Sequence, residues 1–275
     1  MDNRIDEYIK DPNEKNIHDI RTAIRRLEAS YISSPKQIRK GKIIEYVIRR
    51  KHLFKINSEI RDFDIILEKL TQEGQMDIRQ LELFEKSIKK SKNRTLKKAL
   101  SLAFDLRKMN VPHLDHYNNK YDPSILQKKL TKRYNKIVRK FASKIEKNIP
   151  IVINNSEKIK ELHEVRKDSK KLRYLLELVL DNRDRHDKNS EIGKNNYSND
   201  QKVWNLIEKL KKIQDMLGNI HDYDITIAYL IQHNRQKNFV TEMNIEMQRK
   251  NKYEQFVHYY ESTLSNTDNS FLIPV

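Results

Sequence analysis

One short pattern occurs twice in the chain, and it restricts the possible folds more than any other feature. Residues 17–21 read Ile-His-Asp-Ile-Arg and are followed by Arg25-Arg26-Leu27. Residues 162–166 read Leu-His-Glu-Val-Arg and are followed by Lys170-Lys171-Leu172. Both copies run apolar, His, acid, apolar, Arg, then two bases and Leu after three intervening residues. An internal repeat of this kind decides the architecture before any single element does. Its spacing is helical, because side chains at i, i+3, i+4 and i+7 share one helix face. His18, Arg21 and Arg25 therefore form one stripe, and His163, Arg166, Lys170 and Arg173 form its counterpart. Ile17, Ile20, Ile24 and Leu27 run beside the first, and Leu162, Val165, Leu172, Leu176 and Val179 beside the second. A lone basic stripe is most simply a solvated face. Two copies with the same His, in a chain with 9 His, argue for a shared role at the border of the core.

A second pair of segments extends the repeat. Residues 60–65, Ile-Arg-Asp-Phe-Asp-Ile, match residues 220–225, Ile-His-Asp-Tyr-Asp-Ile. The second pair of segments is set further apart than the first by a polar insertion between Asp181 and Asp200, which reads as a loop.

These stretches resemble the CHAD domain family, the conserved histidine α-helical domain. The resemblance rests on His18-Asp19-Ile20-Arg21 with Arg25-Arg26-Leu27, on His163 through Lys171-Leu172-Arg173-Tyr174, and on Leu217-Gly218-Asn219-Ile220-His221-Asp222-Tyr223-Asp224. It implies an all-α fold of two pseudo-symmetric four-helix bundles around a basic cavity that binds inorganic polyphosphate. The chain is then a single domain over residues 1–275, with halves at 1–117 and 118–275. A cytoplasmic protein, targeted to polyphosphate granules, is the corresponding expectation.

Composition agrees with a polyanionic partner. Lys and Arg number 56 against 39 acids, for a net charge of +17. Nucleic acid, an anionic membrane surface and a condensed phosphate all fit that excess. The absence of Cys excludes disulfides, thiolate metal sites and Cys nucleophiles. The N-terminus lacks an apolar signal region and no apolar run approaches the ~18 residues of a membrane span, so a soluble intracellular protein is expected.

With only 4 Gly and 6 Pro, long helices are expected instead of a sheet with many tight turns. Asp11-Pro12-Asn13 starts the first basic helix and Ser33-Ser34-Pro35 ends it. Further helices are expected over 36–55, 62–70 with a stop near Gly74, 81–109, 122–147, 202–217 with Gly218 as a left-handed terminus, 222 onward, and 245–262. Ser156 is the expected cap of the second basic helix after a turn at 148–157 containing Pro150. Inward-facing apolar residues include Ile48, Leu83, Phe104, Leu130 and Trp204. Residues 111–122 connect the halves, and the tail 271–275 packs on the body or on a neighbour.

On the residues matching the family pattern, the direct ligands of polyphosphate are His18, Arg21, Arg25, Arg26, His163, Arg166, Lys170, Lys171 and Arg173. Lys51, Lys211, Arg133 and Lys136 form a second tier. Arg engages phosphate oxygens bidentately, Lys supplies mobile charge, and His donates and gains charge near anions. Lys170-Lys171 replace Arg25-Arg26 in the second copy, Glu28 stands where that copy has Arg173, and Arg61 stands where it has His221. Unequal affinity in the two halves follows.

Asp62, Asp64, Asp222 and Asp224 read as helix caps or as orienters of nearby bases, with a Mg²⁺ site as the alternative. The His221-Asp222 pair resembles that of metal-dependent HD phosphohydrolases, yet His186 lies in the polar insertion and no Asp follows Asp224 until Asp268. No phosphate-binding Gly-rich loop or nucleophilic triad is apparent. A binding module without cofactor or metal is therefore expected, not an enzyme. The alternatives are a basic helical nucleic-acid-binding protein and a phosphohydrolase. Nucleic acid is expected to bind only non-specifically, without membrane insertion.

Overall fold

A computed structural model describes residues 2–112, 122–187, 197–233 and 239–264. These form α1 (Asp2–Lys10), α2 (Glu14–Ser33), α3 (Lys42–Glu73), α4 (Ile78–Arg107), α5 (Pro123–Ile153), α6 (Ile159–Asp187), α7 (Tyr197–His233) and α8 (Phe239–Tyr259), with a π-helical turn at Tyr260–Leu264. The described residues contain no strand, in line with the expected all-α class. None of their helices is long and apolar enough to cross a membrane.

Local chemistry sets several boundaries. Asn13 caps α2 by accepting from the Asn16 N–H, and Asp77 caps α4 by accepting from Gln80. Asp122 accepts from Ser124, and Pro123 occupies the first position of α5, where its missing N–H costs nothing. Ser34 closes α2 in an extended conformation before Pro35.

Elsewhere tertiary packing overrides the local signals. The expected helices 36–55 and 62–70 are one helix of 32 residues, which begins only after Gly41 turns with φ 58°. Asn57 does not interrupt it, because its buried side chain accepts from Tyr8 Oη at 2.8 Å instead of competing for the backbone. Helix α5 runs past 147 and through Pro150 to Ile153. Helix α8 supports that end: Tyr253 Oη donates to the carbonyls of Val152 and Ile153 at 2.9 and 2.6 Å. Ser156 is not the cap of α6; its hydroxyl turns to Glu157, whose N–H binds Asn155 Oδ1.

Gly218 is not a terminus either. It lies inside α7, a helix of 37 residues, and among the described residues only Gly41 and Gln75 have positive φ. Asp62 and Asp222 are consequently mid-helix residues rather than caps. The insertion 181–200 is partly helical, since α6 reaches Asp187 and α7 begins at Tyr197. Residues 188–196 lie outside the described residues, as do the tail 271–275 and most of the connection, including the 117/118 boundary. Ile48, Leu83, Phe104, Leu130 and Trp204 face outward, at 37–64% exposure.

Three buried clusters hold the helices. The first joins Ile5 and Tyr8 of α1, Ile17, Ile20 and Ile24 of α2, Leu53 and Ile60 of α3, and Ala99, Ala103 and Leu106 of α4. The second joins α5 to α8 through Val138, Ile145, Val165, Leu172, Leu210, Ile213 and Phe256, and takes in Ala29 of α2. The third combines Ile66 and Leu70 of α3, Ile88 of α4, Tyr223 and Leu230 of α7, and Ile245 of α8. Each such side chain is worth about 1.5–3 kcal/mol when buried. The third cluster therefore fixes α3 against α7, while α2 packs on α6. These two contacts bring the basic stripes together.

Candidate functional site

The site is assembled where α2, α3, α6 and α7 meet. Helix α2 brings Arg21 and Arg25, α3 brings Arg61 and Asp62, α6 brings His163, Arg166 and Lys170, and α7 brings His221 and Asp222. Their proximity is visible in how strongly they perturb one another. Arg21 is pushed down to about 10, first by burial and then by Arg25, with Arg61 and Arg166 adding to the effect and Asp62 opposing it. Burial lowers Arg166 as well, with Arg25 adding and Asp222, Asp62 and Asp215 opposing. Lys170 falls to about 6 through burial and the charges of Arg166, Arg25 and Arg21. Asp222 rises to about 6 and Asp62 also rises, both because burial outweighs the attraction of the surrounding bases.

Asp62 and Asp222 thus face the five bases Arg21, Arg25, Arg61, Arg166 and Lys170, with Asp215 also acting on Arg166. Arg61 is partly offset by Glu14 at 2.7 Å on the outer side. The remaining excess of positive charge is held by apolar packing. The guanidinium groups of Arg21 and Arg25 lie over the Phe54 ring, 5.6 and 4.9 Å from its centre. Arg166 packs against Gly218, where a Cβ would sit 3.5 Å from Nε. The glycine that reads as a helix stop in the sequence serves here as the seat of an arginine.

Several buried polar atoms in the cluster have no hydrogen-bond partner among the described residues. Nε of Arg21, Nε of Arg166 and Nδ1 of His163 are buried and make no hydrogen bond. Arg21 and Arg166 hold equivalent positions in the two sequence copies. Buried donors without acceptors cost roughly 1–3 kcal/mol each, so their occurrence at one place marks a site rather than a random defect. The rings of His163 and His221 lie 4.6 Å apart. Burial and the neighbouring cations hold His163 down at about 4 and His221 at about 3, so both imidazoles are neutral at neutral pH.

The other sequence-derived ligands are exposed or engaged with other partners. His18 is exposed, with Nε2 3.4 Å from Thr22 Oγ1, and Arg26 is exposed. Lys171 lies over the Phe141 ring on the α5 side and 3.8 Å from Asp168. Arg173 is engaged with Glu177 at 2.8 Å and Gln214 at 3.2 Å. Lys51 pairs with Glu28 at 3.0 Å, and Lys211 lies 3.9 Å from Glu208. Arg133 donates to the Ile32 carbonyl, and Lys136 is exposed on α5.

Sequence reasoning left Arg61, His221, Phe54 and Gly218 out of the ligand set. The signal for Arg61 and His221 was their shared place immediately before Asp62 and Asp222. The other acids of those segments have separate partners: Asp64 pairs with Lys92 of α4, and Asp224 with Arg249 of α8, each at 2.5 Å. Among the described residues no three His, Asp or Glu side chains are grouped as a metal ion would require. The arrangement is suited to holding an extended anion against convergent guanidinium groups.

The model of the CHAD domain family matches residues 2–230 of this chain. No curated protein matches it.

Proposed function

The chain belongs to the CHAD domain family, and from the geometry of its central cluster we propose that it binds inorganic polyphosphate between α2, α3, α6 and α7. The observation that carries this reading is the convergence of Arg21, Arg25, Arg166 and Lys170 with buried Nε donors that the protein does not satisfy. A linear polyphosphate offers closely spaced oxygens, which match several guanidinium groups at once. The cluster draws its residues from both copies of the sequence repeat, and binding rather than turnover is its role. The same chemistry supplies a means of targeting the protein to polyphosphate granules.

The test is titration with long-chain polyphosphate over a salt series, beside single- and double-stranded DNA. A variant carrying Arg21→Ala, Arg25→Ala, Arg166→Ala and Lys170→Ala is run in parallel. A shaped site keeps polyphosphate bound at salt concentrations that release DNA, and loses that advantage in the variant. Equal, steeply salt-dependent binding of every polyanion would instead identify a generic basic surface.

A further inference from the structure

We propose that Arg39 and Arg133 form a second, distal anion subsite at the C-terminal end of α2, reached by long polyphosphate chains and not by short ones. The proposal rests on the polyphosphate reading above and adds chain-length selection to it.

Arg133 projects from α5 and donates its Nε to the Ile32 carbonyl in the last turn of α2, at 3.2 Å. Arg39 follows in the turn between α2 and α3, and its Nε is buried without a hydrogen-bond partner. The two cations are close enough to repel, since Arg133 is lowered by burial and by the charge of Arg39. Among the described residues neither is engaged in an ion pair with a carboxylate. Capping the carbonyls of α2 accounts for Arg133. It does not account for Arg39, whose buried donor finds no acceptor, or for two guanidinium groups held together without an acid.

The sequence around the pair is free of acids on both sides. No Asp or Glu occurs from Ala29 to Ile44 or from Pro123 to Ile145. Exposed Lys36, Lys40, Lys132 and Lys136 add charge at the surface. Ile32 lies eleven residues beyond Arg21 on the same stripe of α2, which places the pair roughly 16 Å from the centre of the cluster along the helix. Tripolyphosphate is too short to occupy both places. A long chain held at the central cluster presents its next phosphates to Arg39 and Arg133 at high effective concentration.

The test compares tripolyphosphate with long-chain polyphosphate at constant ionic strength, using the full chain. Arg39→Ala is the informative variant, because the Arg39 side chain makes no hydrogen bond or ion pair with the described residues that the fold would lose. Lys97→Ala, exposed on α4, controls for the loss of one charge. The expected result is that Arg39→Ala weakens long-chain binding about tenfold, leaves tripolyphosphate unchanged, and exceeds the effect of Lys97→Ala. Arg133→Lys, which keeps the charge but not the planar fork, falls between Arg39→Ala and the parent. The proposal is overturned if Arg39→Ala weakens both ligands equally, weakens neither, or matches Lys97→Ala. Failure of the central-site reading looks different: an Arg21→Ala/Arg166→Ala variant then keeps its tripolyphosphate affinity.

Discussion

In the proposed site, Lys170 would make polyphosphate binding a proton-uptake reaction. Burial and the charges of Arg166, Arg25 and Arg21 lower it from 10.5 to about 6 in the free protein, against the opposing charge of Asp222. At pH 7.5 only about one molecule in thirty then carries the ammonium. A bound polyanion stabilises the charged form, so the pKa of Lys170 is higher in the complex and each binding event takes up nearly one proton. The sign follows directly: protonation favours binding, and affinity rises as pH falls. Between about pH 8.5 and 6.5 the slope is roughly tenfold per pH unit, or ~1.4 kcal/mol. Calorimetry in two buffers of different ionisation enthalpy counts the protons. The parent takes up close to one at pH 7.5, and Lys170→Met takes up markedly fewer while the terminal phosphates of the ligand contribute equally to both. Zero uptake by the parent, or an unchanged pH slope in Lys170→Met, would refute the reasoning.

The free protein loses stability as pH falls below about 6.5, because His163 and His221 are held at about 4 and about 3 and must be charged only in the unfolded chain. Asp222, raised to about 6, acts with the opposite sign between about 6 and 3.8, and Asp62 and Asp224, also raised, act with it, so the loss is read most clearly from pH 7 to about 6, where Lys170, held at about 6, adds to it. Thermal melts from pH 7 to 5 check this, and His163→Phe flattens the dependence. Gly218→Ala is tolerated and favours α7 by up to about 1 kcal/mol of helix propensity, since its Cβ makes ordinary contact with Arg166 at 3.5 Å. Gly218→Leu displaces that guanidinium, and a titration shows weakened polyphosphate binding in a protein that still melts cooperatively. Arg249→Met breaks a pair with Asp224 in which both side chains are at most 10% exposed, at a cost of about 3–5 kcal/mol in denaturant unfolding. Lys92→Met breaks the more open pair with Asp64, at 34% and 27% exposure, and costs about 1 kcal/mol or less.

Much of the site was legible because it is written twice. His163, Arg166 and Lys170, and with them Arg21 and Arg25, follow from a repeated helical stripe at the edge of an apolar face. The helix ends at Asn13, Ser34 and Asp122 were legible because a side chain or a following proline satisfies or stops the backbone there. Helical spacing does not fix which way a stripe is turned once helices pack. His18 continues the stripe of Arg21 in sequence, yet it is exposed, whereas Arg173 is drawn to Glu177 and Gln214. Gly218 and Pro150 carry local signals for interruption, and both lie inside helices. Arg166 occupies the space beside the first, and Tyr253 satisfies carbonyls beyond the second. Asp62 and Asp222 read as caps for the same reason, since only the continuity of α3 and α7 makes them interior carboxylates facing bases.

Arg21 and Arg166 are the centre of the proposed site, and their Nε–H groups can be followed by proton–nitrogen NMR while long-chain polyphosphate is added. The two side chains belong to different helices, each has its Nε buried and unpartnered, and their charges act on one another. Binding between the helices predicts that both resonances move together and saturate at the stoichiometry measured by calorimetry. Saturable polyphosphate binding that leaves both resonances in place would contradict it, and would put the ligand on the outer basic surface.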